Sequence, residues 1–318
     1  MEYIILIVSL VGIIFGADFL VSGAVSIAKK YKVSDFVIGA AIIGVGTSMP
    51  EMTVSFLGAL NGNADVAIGN VVGSNIFNVF GILGLTAIFF PVTFGRENLK
   101  FDIPFCVGVS VILGLLFFNF FTGSGNCIGR FDGILLLAAF AVFLWISFYR
   151  DKKAKPHVAK TEQNEQPVGP MWMSVLKVAG GLAVLVFSCD VFVDNAVLIA
   201  KSFGVSDSFI SLTLIACGTS LPELAASIAA AIKKNTSMAL GNIVGSNIFN
   251  IALILGLCSQ VSQLTSTGIG IIDFLVMIAA VLVLFLFSKD CKISRAEGAI
   301  LFLCFVAYNW YLISNQIA

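Results

Sequence analysis

Two glutamates stand inside long apolar stretches of this 318-residue chain, and the residues around them are the same. Gly46-Thr-Ser-Met-Pro-Glu51 returns as Gly218-Thr-Ser-Leu-Pro-Glu223. An ionisable side chain at the centre of a membrane helix costs about 2.5–3.5 kcal/mol on insertion scales, so such a residue is a functional candidate by default. Thr47 lies one helical turn before Glu51, and Thr219 stands in the same relation to Glu223, so hydroxyl and carboxylate share a helix face. Ser48 and Ser220 lie three residues before their glutamates. Pro50 lacks an N–H and clashes with the carbonyl four residues back, that of Gly46; Pro222 does the same to Gly218. A carbonyl freed in hydrocarbon needs a partner, and a cation can supply one.

A second motif complements the first. Gly69-Asn-Val-Val-Gly-Ser-Asn-Ile-Phe-Asn78 returns as Gly241-Asn-Ile-Val-Gly-Ser-Asn-Ile-Phe-Asn250. Asn70, Ser74 and Asn78 fall at i, i+4 and i+8 and form one polar stripe, repeated by Asn242, Ser246 and Asn250. Ser74, Asn78, Ser246 and Asn250 read as cation ligands, and Asn70 and Asn242 equally well as interhelical hydrogen-bonding groups. The glycines form Gly-x-x-x-Gly, which lets backbones approach closely. Carboxylates, hydroxyls, amide oxygens and carbonyls are hard donors; Ca²⁺ takes about 6–8 of them in irregular geometry. Two glutamates carry a formal charge of −2, which one Ca²⁺ or about two Na⁺ would balance. Competition for that charge is enough to make an exchanger.

The elements that carry these residues are membrane helices. The composition is 58% hydrophobic and 11% charged, with a mean hydropathy of +1.02. Soluble domains carry roughly 25% charged residues, so a water-facing surface is excluded. At about 20 residues per span, apolar runs at roughly 3–28, 36–60, 65–91, 101–121, 131–149, 172–200, 208–232, 237–260, 269–288 and 297–315 predict ten helices. The first run has no basic residues before it and exceeds signal-peptide length, so it reads as a retained span. Eighteen basic and 18 acidic residues cancel, which gives no indication of a nucleic-acid partner; no obligate protein partner or cofactor is expected. The lone His157 and the absence of Cys-x-x-Cys argue against a zinc site. The seven cysteines read as packing groups, and no disulfide is expected.

Both motifs recur at an offset of 172, and residues 44–85 and 216–257 agree at 22 of 42 positions without a gap. Five spans separate each residue from its equivalent, so the halves are expected to face opposite ways. The basic residues agree: Lys29, Lys30 and Lys32 correspond to the nearly uncharged loop after Lys201, whereas Asn61-Gly-Asn63 corresponds to Lys233-Lys-Asn235. With Arg96, Lys100, Lys289, Lys292 and Arg295, the positive-inside rule places both termini outside and the polar 150–171 linker in the cytoplasm. The expected fold is an all-α integral membrane protein of ten helices, two inverted five-helix repeats at 1–149 and 172–318. Inverted repeats with interrupted helices mark secondary transporters whose site lies near the midplane. Asp18 and Asp190, a symmetric pair inside spans, read as structural acids; Asp35 and Asp207, after Ser34 and Ser206, read as helix caps.

Gly-Thr-Ser-x-Pro-Glu with Gly-Asn-x-x-Gly-Ser-Asn-x-x-Asn, each present twice, resembles the alpha repeats of sodium/calcium exchangers in the cation/calcium exchanger superfamily, and the resemblance extends over essentially the whole chain. It implies alternating access, with Na⁺ influx driving Ca²⁺ extrusion at several Na⁺ per Ca²⁺. By position it makes Glu51 and Glu223 the central ligands. Thr47, Ser48, Ser74, Thr219, Ser220 and Ser246 would add oxygens, as would the backbones of Gly44 and Ala216, with Asn78 and Asn250 completing the site. Some relatives, potassium-dependent exchangers among them, carry Asp where this chain has Asn250; the neutral amide argues against K⁺ co-transport and leaves the Na⁺ count open. The short linker leaves no room for the regulatory domain of animal exchangers, so a bacterial type in the plasma (inner) membrane is implied. The alternatives are a Ca²⁺/H⁺ antiporter using the same glutamates, a cation channel and an intramembrane enzyme; no nucleophile–base pair supports the last.

Overall fold

The computed structural model describes residues 2–118, 126–153, 170–203, 218–266 and 268–317. Apart from two very short ladders, the described chain is helical. The helices are α1 (Glu2–Tyr31), α2 (Asp35–Thr47), α3 (Met49–Leu60), α4 (Ala64–Phe89), α5 (Asn98–Phe117), α6 (Arg130–Lys153), α7 (Met171–Ser202), α8 (Leu221–Ile232), α9 (Thr236–Val261), α10 (Ile271–Phe287) and α11 (Arg295–Ile317). Among the described residues, eight are long and apolar enough to cross a membrane, and α2 with α3 forms a ninth candidate bent by 49°. Of the run expected at 208–232, α8 is the apolar helical part; residues 204–217, with Asp207, Ala216 and Cys217, lie outside the described residues.

The two motif helices α4 and α9 are the most buried spans. Around them packs a core that includes Ile68, Val71, Ile76 and Val79 from α4 and Ile243, Val244, Ile248 and Ile251 from α9. Each passes into a π-helical stretch, Phe77–Leu83 in α4 and Phe249–Ile254 in α9. A π-turn inserts one residue and shifts the face of everything after it; Asn78 and Asn250 stand at that shift. A third π-helical stretch, Gly39–Gly44, lies within α2.

Close backbone contact joins α2 to α9. A Cβ on Gly241 would stand 3.0 Å from Phe36 Cα, and Gly245 meets the backbone and side chain of Ala40 as closely. The equivalent glycine of α4, Gly73, would have no heavy atom within 4 Å of its Cβ. Helix α1 runs beside α7, and Leu20, Val21 and Ala24 pack with Leu185 and with Ala226 and Ala230 of α8. Asp18 bonds Lys233 at 2.6 Å, just beyond α8, and Lys233 Nζ also donates to Ser22 Oγ at 2.8 Å. Asp18 is thus a structural acid, as its sequence context suggested.

The cap expected of Asp35 belongs to its neighbour. Ser34 Oγ accepts the Val37 N–H at 3.4 Å, while Asp35 occupies the first turn. The Ser34 N–H is itself bonded by the Asp151 carboxylate at 3.0 Å, which ties the end of α6 to the start of α2. Two antiparallel pairs close the ends: β1 (Val92–Thr93) with β4 (Lys292–Ile293), and β2 (Cys127–Ile128) with β3 (Leu264–Thr265). Each pair takes one strand from either side of the linker. The six described cysteines form no disulfide with one another.

Candidate ion-binding site

The Pro-Glu motifs end one helix and begin another. α2 stops at Thr47, Ser48 leaves helical geometry at φ −83° and ψ 11°, and α3 restarts at Met49. Ser220 does the same at φ −93° and ψ 8° before α8. The sequence suggested that the prolines interrupt helices by freeing the carbonyls of Gly46 and Gly218; in the structure the break falls at Ser48 and Ser220, and Pro50 and Pro222 lie in the first turn of the next helix, where a missing N–H leaves no bond unmade. Glu51 and Glu223 follow in that same turn, so each carboxylate sits at the positive end of a helix dipole.

Both glutamates are fully buried, and each is bonded from the opposite motif. Ser48 Oγ donates to Glu223 Oε1 and Ser220 Oγ to Glu51 Oε1, both at 2.7 Å. Ser220 Oγ also lies 3.2 Å from Ser74 Oγ. Thr47 Oγ1 donates to Ile43 O at 2.9 Å and lies 3.3 Å from Asn242 Oδ1, while Ser246 Oγ donates to Gly44 O at 3.2 Å. The structure therefore brings Gly44, Thr47, Ser48, Glu51, Ser74, Ser220, Glu223 and Ser246 into one bonded centre. Ala216 falls outside the described residues.

Asn78 and Asn250 join this centre through residues that the sequence reading passed over. Asn78 Nδ2 donates to Asn247 Oδ1 at 3.0 Å, and Asn250 Nδ2 donates to Asn75 Oδ1 at 3.2 Å. Asn75 Nδ2 donates to Asn247 O at 3.3 Å, and Asn247 Nδ2 to Asn75 O at 3.4 Å. The signal for Asn75 and Asn247 was their place in both copies of the motif; a regular helical period turns them off the Ser74–Asn78 stripe.

Asn70 and Asn242 prove to be braces. Asn70 Nδ2 donates to Glu51 O at 3.1 Å and to Ser55 Oγ at 2.9 Å; Asn242 repeats both bonds, at the same lengths, to Glu223 O and Ser227 Oγ. A buried carbonyl that loses its partner costs about 1–3 kcal/mol. Asn242→Leu is therefore expected to lower unfolding stability by about that amount, read as a lower melting temperature of the purified protein.

What remains after these bonds defines the chemistry. Glu51 Oε2, Glu223 Oε2, Asn78 Oδ1, Asn250 Oδ1 and Thr219 Oγ1 are buried and have no hydrogen-bond partner in the protein. Native proteins rarely leave buried polar atoms unpaired. Four of these five can only accept, and they come equally from the two motifs. These five oxygens, two from carboxylates and three from neutral groups, are of the type a hard cation takes. Among the described residues no cluster of three His, Cys, Asp or Glu exists.

Comparison with known proteins agrees with the resemblance carried by the motifs. The family described as sodium/calcium exchanger protein matches residues 1–149 and 173–314. The putative antiporter CaxA of Alkalimonas amylolytica is 39% identical, with 98% of each chain covered. The sodium/calcium exchanger MaX1 of Methanosarcina acetivorans is 32% identical, with 96% of this chain and 97% of its own covered. The solved structure of the sodium-calcium exchanger NCX_Mj shares the fold with a TM-score of 0.83 at 29% identity, covering 98% of both chains. With both halves matched and the fold shared end to end, this chain belongs to the sodium/calcium exchanger protein family of transmembrane antiporters.

Proposed function

We propose that the protein exchanges Na⁺ for Ca²⁺ by alternating access, with Na⁺ influx driving Ca²⁺ extrusion across the plasma membrane. The observation that carries this reading is the set of buried, unpartnered oxygens on Glu51, Glu223, Asn78, Asn250 and Thr219. Ca²⁺ is held by the two carboxylates, whose −2 charge it balances; Thr47, Ser48, Ser74, Thr219, Ser220, Ser246 and the carbonyls of Gly44 and Ala216 supply further oxygens to Ca²⁺ or to the Na⁺ ions that replace it. The names of MaX1 and NCX_Mj, proteins similar over nearly their whole length, support this pair of ions.

The architecture that serves this function is ten spans in two inverted five-helix halves, 1–149 and 172–318, joined by a cytoplasmic linker at 150–171, with both termini outside. The reciprocal bonds between equivalent residues support the two-fold relation. Alternation follows from charge: the vacated carboxylates resist carriage through a low-dielectric core, and a bound cation relieves that cost.

Proteoliposomes loaded with Na⁺ and diluted into Na⁺-free buffer with ⁴⁵Ca²⁺ test the coupling. Uptake is expected to require the outward Na⁺ gradient and to be unaffected by a proton ionophore. Uptake that ignores Na⁺ and collapses with the pH gradient would instead make the protein a Ca²⁺/H⁺ antiporter.

A further inference from the structure

Asparagine is an ambiguous ligand, because its amide presents either an oxygen or an NH₂ group to a cation. At Asn78 and Asn250 the surrounding bonds remove the ambiguity. The argument starts at a main-chain carbonyl, which can only accept. Asn75 Nδ2 points at Asn247 O, 3.3 Å away, so the NH₂ of Asn75 is on that side and its Oδ1 is on the other. Asn75 Oδ1 in turn can only accept, and the atom 3.2 Å from it on Asn250 must be the donor Nδ2. Asn250 Oδ1 is left facing away, buried and without a protein partner.

The same sequence runs in the other direction. Asn247 Nδ2 is committed to Asn75 O, Asn247 Oδ1 accepts from Asn78 Nδ2, and Asn78 Oδ1 is left free. All four side chains are at least 99% buried, so no water competes for these bonds. Each lock crosses between α4 and α9, so neither helix orients its own ligand.

We propose that Asn75 and Asn247 are positioning residues that fix the amide orientation of Asn250 and Asn78, so that two neutral oxygens, and no NH₂ group, face the transported cation. This rests on the proposed ion site, and it assigns a role to two residues outside the ligand set. A partner of this kind supports a ligand without touching the ion, and its loss costs about 10–100-fold in metal affinity.

The test turns on the symmetry of a carboxylate. Aspartate at position 250 presents oxygen whichever way it turns, so the lock becomes redundant. Asn75→Leu is expected to weaken ⁴⁵Ca²⁺ binding to the purified protein by about tenfold or more. The same substitution in an Asn250→Asp background is expected to change binding by less than about threefold, the mark of two coupled sites. A merely structural role for Asn75 would weaken binding equally in both backgrounds, and that result, or an Asn75→Leu protein with unchanged affinity, overturns the proposal.

Thermal unfolding verifies that each variant is folded. The independent cycle of Asn247→Leu with Asn78→Asp carries the test if Asn75→Leu does not fold. Glu51→Gln runs beside both: retained Ca²⁺ binding there would overturn the ion site itself, whereas its loss together with an uncoupled asparagine cycle would overturn only the lock.

Discussion

Glu51→Gln and Glu223→Gln are each expected to abolish Ca²⁺ exchange, by on the order of a hundredfold or more, while the protein still inserts and purifies normally. Glutamine keeps the size and shape of the side chain and keeps one oxygen for the serine that bonds it, Ser220 or Ser48. Two things change. The formal charge of the centre falls from −2 to −1, so a bound Ca²⁺ leaves a net positive charge in a low-dielectric core, where uncompensated charge is costly. The amide also puts an NH₂ group where the unpartnered Oε2 stood, so a donor faces a cation. Insertion is expected to be unimpaired because a neutral side chain is easier to place in a membrane than a carboxylate. Na⁺-gradient-driven ⁴⁵Ca²⁺ uptake checks the result, and a Glu51→Gln/Glu223→Gln double variant that still exchanges would remove both residues from the site.

The second large effect is expected from a methyl group. In Gly245→Ala the new Cβ would overlap Ala40, whose Cβ lies 2.7 Å from its ideal position and whose carbonyl oxygen lies 2.8 Å away. Much of that obstacle is main chain, so no change of rotamer relieves it and α2 must move away from α9. Overpacking of this kind costs about 1–3 kcal/mol. The movement also pulls on the bonds that α2 shares with the centre, Ser246 Oγ to Gly44 O and Thr47 Oγ1 to Asn242, so exchange is expected to fall along with the melting temperature. Gly73→Ala provides the contrast. Its Cβ enters open space and alanine favours a helix by about 1 kcal/mol over glycine, so its melting temperature should stay the same or rise. Equal destabilisation by the two alanines would show that the close approach at Gly245 does not matter to the fold.

Residue chemistry and duplication made most of the proposed ion centre legible before the structure. A glutamate beside a proline in an apolar run is conspicuous once, and a second copy 172 residues later identifies its partner. The features that escaped are those a regular helix cannot express. Asn75 and Asn247 bond across to the opposite motif at the point where α4 and α9 enter π-helical stretches, and a 3.6-residue period turns both residues off the polar stripe. Asn70 lay on that stripe with two readings open, and its bonds to the Glu51 carbonyl and Ser55 Oγ decide for the interhelical one. Proline 50 marked an interruption correctly but not its position, two residues earlier at Ser48. The serine beside Asp35 took the cap because its hydroxyl reaches the Val37 N–H from outside the helix. Two-residue strands such as Val92–Thr93 are too short for any alternation to show.

The bonds that join the two halves of the chain at this centre cross wide intervals, 169 residues for Asn78 to Asn247 and 202 for Ser246 to Gly44. A ribosome makes the amino-terminal half first. That half inserts with Glu51, Asn75 and Asn78 in place and without Ser220, Asn247 or Asn250 to bond them, so its most polar surface waits inside the bilayer for a partner not yet synthesised. Contacts this distant in sequence form late and slowly. The proposed ion centre is therefore expected to assemble last, which leaves the newly inserted first half as the species that a membrane chaperone or protease has longest to find.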